Sequence, residues 1–472
     1  MKICISISPK STNEAIRLLQ KIKKVHDFVE LRVDAIYDLN LKQILSSTNL
    51  KLILTNRIKK EGGYFCGDKK NNFEILKTAI ENNVDFIDIE YSLGEKFFKN
   101  IVETRNNVNS KTKIIISYHN FFSTQFNLKN KLNKMQKLNS DIFKIVTFAN
   151  DICDNKKIFD LYSFANDRNV KLISFCMGEK GVVSRILCAK YNAPFTYASL
   201  SEFEKTAFGQ LSFETLKNIY NVENINSKTK IFGLVGNPVS HSRGIYFHNK
   251  IFKYKKNNSI YLNFLVDDIK NFFLTYRNFF NGLSITMPFK EKVFKIFLRK
   301  KNKTLLPINT ILFKNQQQQF FNTDYFAFKN LIEKKINSKD KFALIYGSGG
   351  FAKTSILLLK SMGLNVAIIG RSILKVKTIA KKYHCGFLLE NNLNEKKFDI
   401  FINATPIGRH NEEIFFIEKI FHKNILIIDA MYSSIETPLI KKYKNRCRTI
   451  NGNEIFVEQA KLQSKLFLNE KL

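Results

Sequence analysis

An α/β fold is what this sequence predicts: an N-terminal (β/α)8 barrel, then a smaller α/β domain and a Rossmann-type dinucleotide-binding domain. Three observations lead there. Over residues 1–200, eight short runs rich in β-branched and aromatic residues recur, separated by segments long enough for helices. At 221–229 the polar stretch NVENINSKT breaks this rhythm and reads as a linker. Further on, an apolar strand runs straight into Gly347-x-Gly349-x-x-Ala352 and then a helical segment.

The eight runs lie at 2–8, 28–34, 51–57, 86–92, 113–119, 142–148, 171–177 and 195–200. Such barrels carry their chemistry at the C-terminal ends of the strands, which makes polar residues there informative. Glu30, Arg32 and Asp34 share one strand face by period two, as do Asp88 and Glu90. Arg57 and His119 each end a run, and Lys144 sits among Ile142, Phe143, Ile145 and Val146. Charges pointing into a barrel are costly unless paired or functional. A lysine buried beside carboxylates and a histidine has an amine poised as a nucleophile.

At 472 residues the chain suggests about three domains of roughly 150 residues. The boundaries expected are a barrel over 1–222, an α/β substrate domain over 228–335 completed by 453–472, and a dinucleotide domain over 336–452. The formal charge of +35 invites a nucleic-acid reading. Lysine is spread through every segment, however, and no groove-reading or RNA-binding motif occurs, so no nucleic-acid partner is expected. The seven cysteines are irregularly spaced without C-x-x-C, which argues against a disulfide framework or a metal site. No signal-like segment opens the chain, and no apolar run approaches the ~18 residues of a membrane span. A cytoplasmic protein that binds no membrane is the expectation.

The first half resembles type I 3-dehydroquinate dehydratases. The resemblance is carried, in order, by ELR at 30–32, LTNR and EGG within 54–63, DIE at 88–90, SYH at 117–119, FKI around Lys144, MGEKGVVSR at 177–185 and FGQ at 208–210. It implies that Lys144 condenses with the ketone of 3-dehydroquinate, that His119 moves the C2 proton, and that Glu90 orients and tunes His119. It also implies that Ser6, Glu30, Arg32, Arg57, Arg185, Thr206 and Gln210 hold the substrate. The family's flap reads Ser-Ala-Pro-Gly-Gln, whereas this chain has Thr206-Ala207-Phe208-Gly209-Gln210.

In the second half, Gly347, Ser348, Gly349, Gly350, Phe351 and Ala352 form the turn expected to cradle a pyrophosphate at a helix N-terminus. The next strand ends at Gly370, Arg371 and Ser372, where an acid would select NAD; an arginine there, with Lys375 nearby, favours the 2′-phosphate of NADP(H). GLVGNPVSHS at 233–242, SITMPFK at 284–290, INT at 308–310, NTD at 322–324, NATPIG at 403–408, the run Asp429, Tyr432, Thr437, Pro438, and Gln459 resemble shikimate dehydrogenase. This implies a catalytic pair of Lys290 and Asp324. It implies substrate contacts from Ser242, Gly244, Thr286, Asn309, Asp324, Tyr432 and Gln459, with Gly452 near the nicotinamide.

Together these expectations give a bifunctional enzyme that converts 3-dehydroquinate to 3-dehydroshikimate and reduces that to shikimate with NADPH, without a metal. Several positions depart from the pattern: Gly244 replaces a carboxylate-binding serine, Ser284 an asparagine, Gly370 an asparagine and Arg409 an apolar residue. Losing one hydrogen bond to a charged group costs about 1.5–3 kcal/mol, so weakened shikimate binding is expected. The alternatives are a second half acting on quinate or a related cyclic acid, or one reduced to a binding module.

Overall fold

Period-two alternation sorts the side chains of the first eight strands into an inner and an outer layer. The computed structural model describes residues 1–138, 140–297, 307–314, 317–336, 341–395, 397–431 and 436–470. In it the barrel strands are β1 (Lys2–Ile7), β2 (Phe28–Arg32), β3 (Lys51–Thr55), β4 (Phe86–Glu90), β5 (Lys113–His119), β6 (Ile142–Phe148), β7 (Leu172–Met177) and β8 (Phe195–Ser199). They form one eight-stranded sheet in the order β7-β6-β5-β4-β3-β2-β1-β8, a nearly closed parallel barrel. Each run expected from the sequence ends within two residues of its strand. The runs that overshoot do so at the rim, where Asp34 and Arg57 already belong to loops.

Val29, Leu31, Leu52, Leu54, Ile87, Ile89, Ile114, Ile116 and Ile145 point outward under the helices. Phe28, Ile53, Phe86, Ile115, Ile142, Ile173 and Phe195 point inward. The rings of Phe28, Phe86 and Phe195 lie 4.9 to 6.0 Å apart and fill the N-terminal end of the barrel. Each fully buried ring contributes about 1.5–3 kcal/mol of transfer free energy. The covering helices follow from local sequence. In Thr12–Lys23, Ser11 caps the Glu14 amide, and Ala15, Leu19 and Ile22 supply the buried stripe.

After the linker come β9 (Lys230–Gly236), β10 (Ser259–Leu265), β11 (Gly282–Ile285), β12 (Thr310–Lys314) and β13 (Gln317–Phe321), in the sheet order β10-β9-β11-β12-β13. The glutamine tract from Gln317 lies in β13, and this edge strand leaves its glutamine side chains exposed, so they need no buried partner. Gln316 lies outside the described residues.

The third sheet contains β14 (Phe342–Tyr346), β15 (Asn365–Ile369), β16 (Gly386–Phe387), β17 (Ile400–Asn403), β18 (Leu426–Asp429) and β19 (Arg448–Ile450). Its order, β16-β15-β14-β17-β18-β19, is all parallel. In the sheet's own count this is 3-2-1-4-5-6, the doubly wound arrangement, with its switch point between β14 and β17.

Two compact units result. One comprises Met1–Gly233 and Val239–Phe279, the other Leu234–Pro238 and Phe280–Leu472. The polar stretch 221–229 lies inside the first of these units. Within the first unit, the Tyr276 hydroxyl donates to the Ile152 carbonyl at 2.7 Å, and the Phe279 ring stacks on Phe159 at 5.5 Å. Among the described residues, no helix is long and apolar enough to cross a membrane.

Candidate active sites

Above the aromatic floor the barrel interior turns polar. Lys144, from the middle of β6, is almost fully buried; its Nζ donates to Asp88 Oδ2 at 3.0 Å and approaches Glu30 Oε1 at 3.5 Å. The same atom lies 4.3 Å from the centroid of the Tyr197 ring. Burial alone would raise Glu30, but the Lys144 ammonium and the Ser6 hydroxyl, which donates at 2.6 Å, hold its carboxyl below the usual value. Asp88 is likewise buried yet held far down by Arg57 and Lys144.

Arg57 sits in the loop after β3. Its guanidinium meets Asp88 at 3.0 Å and Glu90 at 3.2 Å and donates to Ser117 Oγ at 2.7 Å. That arrangement corrects one expectation. Glu90 does not pair with His119; it accepts from Arg57 and from the Ile58 amide at 3.1 Å. A buried guanidinium needs compensating carboxylates, and Arg57 takes Glu90 as one of its two. The carboxylate at His119 is Glu61, whose Oε2 lies 3.0 Å from Nδ1. Glu61 was missed although it begins the EGG motif, because a loop residue gives no strand periodicity.

The loop that presents Glu61 is tightly folded. Gly63 is required there, since a Cβ would stand 1.9 Å from the Arg57 carbonyl oxygen. Asp34 accepts two bonds of 2.7 Å from Arg32 and a third from the Tyr64 amide, tying Arg32 to this loop. Phe121 stacks over His119 with centroids 6.1 Å apart. Burial, followed by the nearby Arg57 charge, lowers His119 to about 4. Burial opposes ionisation of Glu61 too, but the bond with His119 keeps it below its ordinary value. The imidazole is therefore neutral at pH 7; assigning its proton to Nδ1, as donor to Glu61, leaves the Nε2 lone pair free. Burial outweighs Arg57 at Glu90, which rises to about 7.

Arg185 differs from the other cations. Burial lowers it to about 10; its Nη2 donates to the Phe208 carbonyl at 3.2 Å, its Nε has no partner, and no carboxylate among the described residues pairs with it. Phe208, where the flap departs from its pattern, points its side chain outward and uses only its backbone here. Thr206 Oγ1 reaches Ser6 Oγ at 3.2 Å and Gln210 Oε1 at 3.0 Å. Ser6, Glu30, Arg32, Arg57, His119, Lys144, Arg185, Thr206 and Gln210 thus line one cavity, together with Glu61 and Tyr197, which the sequence reading missed.

In the second unit, β14 leads into Gly347, at φ +128°, where a Cβ would lie 2.8 Å from the Ala404 carbonyl oxygen. Gly349 precedes the helix Gly350–Ser361, and a Cβ on it would meet nothing within 4 Å. This open space over a helix N-terminus at a switch point fits a dinucleotide pyrophosphate. Ala352 is buried beneath the turn and Phe351 rests against Phe328. Gly370, Arg371 and Ser372 follow β15; Arg371 is exposed, and Ser372 caps the next helix at the Lys375 amide. Gly452 opens the helix Gly452–Phe467 behind an Asn451–Glu454 capping box.

Beside this turn lies the second ion pair. Lys290 Nζ meets Asp324 Oδ2 at 2.6 Å, and a Cβ on Gly350 would be 3.5 Å from Lys290 Cδ. Thr323, not anticipated, gathers its neighbours: its Oγ1 accepts from Asn309 at 3.0 Å and from Gln459 at 3.2 Å. Thr286 is fixed through its amide to Val235. The substituted Ser284 donates to Gln463 at 2.9 Å, so its hydroxyl is committed to the core. Asp429 accepts from Thr437 at 2.5 Å and from Asn403 at 2.9 Å. Tyr432 lies outside the described residues. In the first unit, the Gly244 amide donates to Ser242 Oγ at 3.2 Å, and a Cβ on Gly244 would stand 3.1 Å from the Tyr261 ring. The departure at 244 thus leaves room for Tyr261.

Fold and sites define a two-centre chain: a barrel with a buried amine–carboxylate–imidazole centre, followed by a dinucleotide-binding fold carrying a lysine–aspartate pair. The sequence matches the type I 3-dehydroquinase family over residues 3–227 and the shikimate dehydrogenase substrate binding domain over 234–311. It is 30% identical to the chloroplastic bifunctional 3-dehydroquinate dehydratase/shikimate dehydrogenase of Arabidopsis thaliana, over 98% of this chain and 81% of that one. It is 28% identical to the shikimate biosynthesis protein AroDE of Chlamydia pneumoniae, over 100% of this chain and 96% of that one. With the shikimate dehydrogenase (NADP(+)) of Sulfolobus acidocaldarius it shares 32% identity, over 52% of this chain and 93% of that one. The chain belongs to the family of bifunctional 3-dehydroquinate dehydratase/shikimate dehydrogenases.

Proposed function

We propose that this chain dehydrates 3-dehydroquinate to 3-dehydroshikimate at the barrel and reduces the product to shikimate with NADPH at the second centre. The observation that carries the first half is the convergence on one cavity of Lys144, a neutral His119 with Glu61 as its partner, and Arg185, which no carboxylate among the described residues pairs. Arg185 takes the substrate carboxylate, while Glu30, Arg32, Arg57 and Gln210 hold ring hydroxyls. Lys144 condenses with the ketone to give an iminium and one water. His119 Nε2 removes the C2 proton, and the electron pair moves toward nitrogen as an enamine. The enamine expels the C1 hydroxyl, which leaves as water with the proton carried by His119. Hydrolysis returns Lys144 and the conjugated ketone, so the balance is loss of one water.

For the second half, the nicotinamide supplies a hydride when bound. The turn 347–352 would hold the pyrophosphate, and Arg371, Ser372 and Lys375 would receive the 2′-phosphate. Lys290 and Asp324 deliver the proton to the reduced oxygen, and Asn309, Thr286 and Gln459 orient the ring. We assign the labour to 1–222, to 228–335 with 453–472, and to 336–452; the family matches on either side of the linker support this division. The reduced chemistry of seven free cysteines is in keeping with work in the cytoplasm.

A coupled assay tests the reading. The full chain given 3-dehydroquinate and NADPH should oxidise one NADPH per substrate. Formation of 3-dehydroshikimate without NADPH oxidation would remove the second half of the proposal; quinate-dependent NADP reduction in its place would redirect it.

A further inference from the structure

We propose that Ser92 is a positioning residue of the dehydratase: its hydroxyl fixes the Glu61 carboxylate, so that Oε2 stays on His119 Nδ1 while Nε2 takes the substrate proton. The proposal rests on the reading of His119 as the base and Glu61 as its partner. Its starting point is the sharing of one carboxylate between two donors. Glu61 Oε2 lies 3.0 Å from His119 Nδ1, and Oε1 accepts from Ser92 Oγ. Among the described residues, the Glu61 side chain makes no other hydrogen bond.

The need for a second holder follows from where Glu61 sits. It ends the short turn Lys59–Glu61, in a loop closed on itself by bonds from the Gly63 amide to the Ile58 carbonyl and from the Phe65 amide to the Arg57 carbonyl. These bonds fix the backbone and leave the side-chain torsions of Glu61 free. A single bond to an imidazole, which can itself turn, does not stop the carboxylate from rotating; a second bond to the other oxygen does. Ser92 is well placed to supply it. It belongs to the turn Tyr91–Leu93 that directly follows β4. Leu93 is buried, and its carbonyl accepts from Lys69 Nζ at 2.9 Å, which ties the turn to the helix Lys69–Glu81. Arg57, from the loop after β3, and Lys131, from the helix Leu128–Gln136, attract Glu61 through space and do not set its orientation by a bond.

The proton transfer shows when this matters. The C2–H bond of the substrate breaks, its electron pair stays with the substrate, and an N–H bond forms at Nε2 of His119. The imidazole thereby becomes a cation, and its Nδ1–H is the group that faces Glu61. A carboxylate already held on Nδ1 meets that charge without first having to turn. Glu61 and His119 line the cavity that holds Lys144, and Ser92 does not. Ser92 therefore reaches the reaction only through Glu61, and its loss should appear in kcat and not in KM.

The test uses the full-length chain and initial rates of dehydration. Ser92 is exposed, so Ser92→Ala removes a hydroxyl without opening a gap in the core. That variant should lower kcat about three- to thirtyfold and change KM by less than about twofold, and Ser92→Thr, which keeps a hydroxyl, should recover most of the loss. Glu61→Ala supplies the decisive background, because it leaves Ser92 nothing to hold: there, Ser92→Ala should cost less than about a further twofold. If Glu61→Ala keeps its full kcat, the reading of Glu61 as the partner of His119 fails and takes the proposal with it. If Glu61→Ala is slow, the pair stands, and four results overturn the role of Ser92: normal turnover in Ser92→Ala, a raised KM in place of a lowered kcat, a Ser92→Thr variant as slow as Ser92→Ala, or an equal loss with and without Glu61.

Discussion

Glu61 Oε2 lies 3.0 Å from His119 Nδ1, so the partner of the general base comes from the loop after β3 and not from the neighbouring strand. Glu61→Gln should therefore lower kcat for dehydration by about a hundredfold or more, as expected when a general base loses its tuning partner. The borohydride adduct on Lys144 should still form. Glu90→Gln should leave proton transfer far less affected, and comparing the two variants by single-turnover kinetics separates the assignments.

Under the proposed mechanism, the acid limb of dehydratase kcat/KM should report His119. A base must be neutral, so activity is present above its pKa and lost as pH falls through it. With His119 lowered to about 4, the limb should lie well below the ordinary 6.5. Phe121→Ala opens the covered face of the imidazole to water and should move the limb upward, toward 6.5. An unchanged limb in that variant would show that the ring does not shield the base.

Glu90 should make itself felt in stability. Burial raises its carboxyl to about 7 from an ordinary 4.5, so between these values the native chain keeps a proton that the unfolded chain has released. A raised carboxyl is a cost that grows as pH rises through that window. Glu90→Gln removes it. The variant's melting temperature should exceed that of the unaltered chain by a few degrees near about pH 8 and match it near about pH 4.5. Differential scanning calorimetry at the two pH values checks the sign.

Lys290→Ala or Asp324→Asn should reduce dehydroshikimate reduction by about a hundredfold or more and leave dehydration untouched. Lys144→Ala should do the reverse. Loss of both activities in any one variant would mean that folding, not chemistry, had been damaged.

Arg371, exposed at the end of β15, should decide between cofactors. Arg371→Ala should raise KM for NADPH about ten- to a hundredfold, the worth of one charge-assisted contact, and barely alter that for NADH. Arg371→Lys should recover only part, because a point charge lacks the planar fork. Equal weakening of both cofactors would remove Arg371 from the 2′-phosphate.

Much of this is legible in the sequence. Lys144 stood out because a charge in an otherwise apolar strand has to be paired or used. Gly347 and Arg371 stood out because a strand–turn–helix leaves few residues able to serve a phosphate. Glu61 did not, since its role depends on a loop folded back through Gly63 and not on periodicity. Tyr197 did not either: an aromatic residue in a strand reads as core, and it is core, but its face is turned to the buried Lys144 amine. The compact units were hidden for a similar reason. A polar stretch marks where the chain can bend, but contacts such as Tyr276 with Ile152 form across it.

The triangle of Phe28, Phe86 and Phe195 makes the dehydratase a well with a sealed bottom. Above that bottom, Thr206, Ala207 and Gln210 line the cavity that holds Lys144. Substrate and product that occupy the same closed-bottomed well exclude one another, so added product should act as a competitor of substrate, and steady-state inhibition kinetics check this.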